Sequence, residues 1–161
     1  MSQKGKWVLA LSLLGVVFIT GFVVYILSED AERTEFITFR EELDDTFFKS
    51  REEVVECYRG FEEDQVNLDC NPDHIKQRID EGIKKLNEYE VKSDDTFTLK
   101  YKTQDGYKLL KKIDKENSII ISSDPTSDEY VKAIKDFAIA FDELEENGKS
   151  INKTLELYYS F

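Results

Sequence analysis

Residues 96–122, TFTLKYKTQDGYKLLKKIDKENSIIIS, are the stretch on which the fold class turns. Thr96-Phe97-Thr98-Leu99-Lys100-Tyr101-Lys102 alternates strictly, which puts Phe97, Leu99 and Tyr101 on one face of a half-buried strand. Gln104-Asp105-Gly106 follows, and Asp-Gly between apolar runs is a hairpin signal. Residues 107–113 then read as the return strand or as a short helix, because Leu109, Leu110 and Ile113 also fit helical spacing. Ser118-Ile119-Ile120-Ile121-Ser122 is a β-branched run that reads as a buried strand. Together these segments predict a small antiparallel sheet of two or three strands, and hence an α+β fold.

Helices are expected on both sides of this sheet. Upstream, Asn71-Pro72-Asp73 is a start signal: a capping Asn, Pro at the first helical position and an acid in the first turn. Ile75, Ile79, Ile83 and Leu86 then form a stripe running to about Tyr89. Before that, residues 28–61 are charged but periodic. Phe36, Leu43, Phe47, Val54, Cys57 and Phe61 fall near a three-to-four spacing, which is an amphipathic helix. The two helices form a long hairpin. Downstream, Asp124-Pro125-Thr126-Ser127-Asp128 is a loop that supplies a cap for a helix over residues 129–146, with Tyr130, Ile134, Phe137, Phe141 and Leu144 on one side. Asn147-Gly148 reads as its end. Leu155, Leu157, Tyr159 and Phe161 alternate and predict a final strand.

The N-terminus has a different character. WVLALSLLGVVFITGFVVYIL, from Trp7 to Leu27, is an uncharged run of 21 residues. As a helix it spans roughly 30 Å, the thickness of a bilayer's hydrocarbon core. A cleaved signal sequence has an apolar region of about 7–15 residues and ends on small residues; here Tyr25 and Ile26 stand at that place. The sequence therefore predicts an uncleaved signal-anchor. Its domains would be a cytoplasmic stub (residues 1–6), a transmembrane helix (7–27) and an extracytoplasmic domain (28–161). Lys4 and Lys6 are the only charges before Glu29, so the positive-inside rule places the N-terminus in the cytoplasm and the C-terminal domain outside it, periplasmic or extracellular. With no Gly or Pro between Leu27 and Gly60, the membrane helix and the amphipathic one can form a single rod, with a bend near Ser28–Asp30 as the alternative.

Charge narrows the partners. The chain carries 34 acidic and 22 basic residues, net −12, and every acid lies after the apolar run. That excess argues against nucleic acid and leaves other membrane or envelope proteins, with the bilayer contacted through the N-terminal helix. The two cysteines, Cys57 and Cys70, form an even pair in an oxidising compartment and predict a disulfide across the helical hairpin. Two buried thiols are the alternative. One histidine, His74, is too few for a zinc site built with these cysteines.

No chemical motif emerges. There is no Gly-rich phosphate loop, G-x-S-x-G, H-E-x-x-H or CxxC, so neither an enzyme nor a cofactor is expected. Glu143-x-Glu145-x-Asn147-Gly148 shares a glycine with an EF-hand loop, but Thr154 occupies the place of the bidentate glutamate. Asn152-Lys153-Thr154 matches a glycosylation acceptor. The tail Tyr159-Ser160-Phe161 is either a strand of the domain's own sheet or a free recognition motif. Phe36, Phe39, Phe47 and Phe48 do not all fit one stripe, so some of them are expected to face a partner or the membrane interface.

The layout, an apolar N-terminal helix running into an amphipathic one and then a small sheet, resembles that of type IV pilins and pseudopilins. In that family a Gly precedes a Phe-Thr-Leu-Ile-Glu-like start. Here Gly5 precedes Lys6-Trp7-Val8-Leu9-Ala10, so Ala10 stands at the glutamate's place. The layout is also similar to that of phage lysis proteins with one membrane pass and a periplasmic domain. The function expected from these features is a single-pass accessory or structural subunit of a membrane or envelope complex, working through protein–protein contact. The alternative is an extracytoplasmic ligand-binding or sensor module.

Overall fold

The computed structural model describes the backbone of residues 3–59 and 71–159, and the side chains of residues 20, 23–58 and 71–159. Helix α1 spans Gln3–Leu43, passes into a π-helical turn at Asp44–Phe48, and continues as α2, Lys49–Arg59. No coil residue separates them, so they form one rod, as the lack of a breaker implies. Helices α3 (Pro72–Glu88), α4 (Asp94–Ser122) and α5 (Asp128–Tyr159) complete the chain. There is no strand among the described residues. The fold is all-α, and the expected α+β class with its small sheet is corrected.

Local chemistry shows why residues 96–122 wind into one helix. Ser93 caps α4, its Oγ accepting from the Thr96 backbone N–H at 3.3 Å, and Asp94 and Asp95 complement the helix dipole in the first turn. The buried residues of α4 are Thr96, Leu99, Thr103, Gly106, Tyr107, Leu110, Ile113, Glu116 and Asn117. Their spacing of three and four is helical. Phe97, Leu99 and Tyr101 alternate in sequence, but only Leu99 is buried; Phe97 and Tyr101 face solvent. Gly106 is not a turn residue. It lies in mid-helix where a Cβ would come 2.6 Å from Phe47 Cε2 and 2.7 Å from Asn147 Oδ1. Gly148 likewise does not end a helix. It lies inside α5 with the Arg51 guanidinium 3.2–3.4 Å from where a Cβ would be. The expected final strand is the last part of α5 up to Tyr159, and the tail beyond it lies outside the described residues.

Other caps match the sequence. Asn71 Oδ1 accepts from the N–H groups of Asp73 and His74 at 3.1 and 3.3 Å, with Pro72 at the first position of α3. Ser127 Oγ accepts from the Tyr130 N–H at 3.1 Å and opens α5.

The chain goes up, down, up and down. Arg78 pairs with Glu53 and Lys85 with Glu42, so α3 is antiparallel to the rod. Lys111 pairs with Asp80 and Gln104 Nε2 donates to Asn87 Oδ1, so α4 is antiparallel to α3. Lys112 pairs with Glu143 and Lys102 Nζ donates to Ser150 O, so α5 is antiparallel to α4. This is a four-helix bundle. Its core takes Phe36, Phe39, Leu43, Phe47 and Val54 from the rod, Ile75, Ile79 and Leu86 from α3, Leu99, Leu110 and Ile113 from α4, and Ala140, Leu144 and Ile151 from α5. Aromatic pairs cross between helices: Phe36 stacks on Tyr158 at 3.7 Å between centroids, and Phe47 meets Tyr107 edge-on at 5.2 Å.

The rod leaves the bundle at Glu35. There the Lys92 N–H donates to Glu35 Oε1 at 2.6 Å, tying the α3–α4 connection to the rod. From Val23 to Thr34 every side chain is exposed. Among the described residues no helix is long and apolar enough to cross a membrane. The expected transmembrane segment from Trp7 to Leu27 is corrected on that finding, and the single-pass localisation and orientation fall with it. The described apolar side chains Val23–Leu27 cover about 7.5 Å of helix before Ser28 and Glu29, against the roughly 30 Å of a bilayer core. The side chains of residues 7–19, 21 and 22 lie outside the described residues.

Candidate functional site

The phenylalanines expected to face a partner are mostly interior. Phe36, Phe39 and Phe47 are buried in the core, and Phe48 is half-buried against it. On a straight helix Phe36, Phe39 and Phe47 already lie within about 80° of one another, and only Phe48 stands off that stripe. The π-helical turn at Asp44–Phe48 inserts a residue into the rod and rotates α2 relative to α1. Within that turn, Thr46 Oγ1 donates to Glu42 O at 2.7 Å, and Ser50 Oγ to Thr46 O at 2.8 Å. Both hydroxyls lie beside the Tyr107 hydroxyl, which is buried and makes no hydrogen bond of good geometry. A Cβ on Gly82 would collide with that hydroxyl.

Cys57 is buried near the end of α2 and is not a free thiol. Cys70, and with it the expected Cys57–Cys70 bond, lies outside the described residues; no disulfide joins two described residues. Of the two ends of the expected membrane anchor, Leu27 is exposed and the Trp7 side chain is outside the described residues. His74 is exposed in the first turn of α3. Glu143, Glu145 and Asn147 sit within continuous α5 helix, so they cannot wrap a cation as a calcium loop does. No cluster of three or more His, Cys, Asp or Glu suited to a metal occurs among the described residues.

One polar junction joins three helices at the end of the bundle far from the arm. The Tyr58 hydroxyl donates to Asp114 Oδ1 at 3.4 Å beneath Phe137 of α5, whose ring lies 5.7 Å from that of Tyr58. Burial, and then the Asp114 carboxylate, push the Tyr58 hydroxyl up to about 12. Burial also raises the Asp114 carboxyl above its usual range, against the Tyr58 hydrogen bond and Lys76, which lower it. This geometry locks helices together.

At the other end, an open groove of about 460 Å³ is lined by Arg40, Asn152, Leu155, Glu156 and Tyr159. Arg40 lies 5.9 Å from the centre of the Tyr159 ring. The groove is too open to enclose a small ligand as binding pockets do. The surfaces that stand out are apolar and exposed. Val23, Val24, Tyr25, Ile26 and Leu27 lie on the projecting part of α1, and Phe97 and Tyr101 lie one turn apart on α4 near the same end of the bundle. Sequence reading missed Phe97 and Tyr101 by assigning them to the core. A three-to-four count from Leu99 through Thr103, Tyr107 and Leu110 would have placed both outside. No protein-family model, no curated protein and no solved structure matches the chain.

Proposed function

We propose that this chain is an accessory or structural subunit of a larger protein assembly, acting through protein–protein contact. The observation that carries this reading is the arm. Residues 23–34 continue α1 past the last bundle contact with every side chain exposed, about 18 Å of helix. The arm presents five consecutive large apolar residues, Val23–Leu27, each 42–63% exposed. Contiguous exposed apolar surface of this kind marks an interaction site. The bundle acts as a rigid mount, because the arm is the same rod that supplies Phe36, Phe39 and Phe47 to the core.

Photo-crosslinking residues placed at Val24 and Leu27, with exposed Lys84 on the bundle as control, test this in cells that produce the protein. Adducts to other protein chains from the arm and none from Lys84 are expected. An arm that yields no protein adduct refutes the proposal.

A further inference from the structure

The arm and the solvent face of α4 carry matching chemistry. On α4, Phe97, Tyr101, Lys108 and Lys111 share one outward face, spaced four, seven and three residues apart. Phe97 and Tyr101 are 62% and 56% exposed, and the Lys108 side chain is 71% exposed. This helix departs from the rest of an acidic chain: it holds six lysines against five acids, whereas the whole protein is at −12. The arm is the reverse. After Val23–Leu27 it turns acidic, with Glu29, Asp30, Glu32 and Glu35 against Arg33 alone.

The spacings agree as well. Seven residues separate Tyr25 from Glu32 on the arm, and seven separate Tyr101 from Lys108 on α4. Both intervals are close to two helical turns, so each ring lies on the same face as its charge. We propose that the arm of one copy docks in parallel along the outer face of α4 of a second copy. Tyr25 meets Tyr101, and Glu29 and Glu32 meet Lys108 and Lys111. The proposal rests on the reading of the arm as a docking element and names its partner.

The alternatives on the same molecule fit less well. Two arms side by side would oppose Glu29, Asp30, Glu32 and Glu35 with their own copies. The pairs that Lys108 and Lys111 make within the chain, to Asp105 and Asp80, are solvent-exposed, and such pairs are readily exchanged. An arm meeting a different surface on the next copy is a heterologous contact, and such contacts propagate into open arrays unless a rotation closes them.

The test uses the full-length chain in mild detergent, followed by sedimentation at low and high salt. The wild type is expected to exceed the mass of one chain at low salt and to dissociate as salt screens the pairs. Glu29→Lys/Glu32→Lys and Lys108→Glu/Lys111→Glu should each weaken association by about tenfold or more. All four side chains are exposed, so both variants should keep the wild-type helical signal. Mixing the two variants should restore association, since each reversed surface then finds its complement on the other chain. A wild type of single-chain mass, variants that associate like the wild type, or a mixture no tighter than its components would each overturn the inference. If the wild type is a single copy while the arm still crosslinks to other proteins, this inference falls and the proposed function stands.

Discussion

Replacing Gly106 with alanine tests both the helical course of residues 96–122 and the packing that demands it. Inside a helix, Gly→Ala is ordinarily favourable by about 1 kcal/mol, because alanine loses less backbone entropy. Here the new Cβ would fall 2.6 Å from Phe47 Cε2 and 2.7 Å from Asn147 Oδ1. Neither group yields easily. Phe47 is fully buried, and Asn147 is held by its Nδ2 donating to Lys102 O at 2.9 Å. Overpacking of this kind costs about 1–3 kcal/mol, and with both neighbours pinned the upper part of that range, about 2–3 kcal/mol, applies, so the net loss should be about 1–2 kcal/mol. Gly148→Ala is the matched control. The nearest atoms to its Cβ would be those of the Arg51 guanidinium, at 3.2–3.4 Å, the far end of a flexible side chain. That variant should equal the wild type or exceed it by up to about 1 kcal/mol. Urea unfolding followed by helical circular dichroism measures both. Phe47→Leu in the Gly106→Ala background should recover about 1 kcal/mol relative to additivity, because it removes the ring that the methyl strikes. The reasoning is refuted if Gly106→Ala matches or exceeds the wild type, or if the loss persists unchanged when Phe47 is shortened.

Three further outcomes are expected. Asn71→Ala should destabilise the fold by about 1 kcal/mol in thermal unfolding, because two N–H groups at the start of α3 lose their acceptor. Tyr107→Phe should leave urea stability unchanged or raise it by up to about 1 kcal/mol, since the buried hydroxyl it removes has no well-formed hydrogen bond; a loss above that size would show that Thr46 or Ser50 accepts from it. Asp114 has its carboxyl raised in the fold, so the fold holds that proton more tightly than the unfolded chain does. The contribution of this group is therefore most favourable below the usual carboxylate value of 3.8 and is lost as pH rises through the folded value. Asp114→Asn should stabilise the protein at pH 7, with the gain shrinking as pH falls toward 3.8; a gain that does not vary with pH would dissociate Asp114 from the effect.

The sequence alone determined the helices whose signals are local. Asn71, Pro72 and Asp73 announce α3, and of its stripe Ile75, Ile79 and Leu86 are buried while Ile83 is half-buried. A cap needs only the side chain and the next few N–H groups, so it is legible without the rest of the fold. The unbroken rod was legible for a similar reason: nothing between Leu27 and Arg59 opposes a helix. The arm's exposure was not legible, because it depends on where the bundle stops, and that is fixed by the contacts of Glu35 with Tyr89 and Lys92.

Only the tertiary structure decided residues 96–122 and the course of α5. Phe97, Leu99 and Tyr101 satisfy a period of two by coincidence, while the helical core positions are disguised by Thr96, Thr103, Gly106 and Asn117. Gly106 and Gly148 carry the letters of turns and caps, yet each is small because another helix crosses it, with Phe47 against one and Arg51 against the other. A glycine needed for a turn and a glycine needed for close approach look the same in a sequence. What separates them is the neighbour across the gap, and that neighbour is more than fifty residues away in the chain.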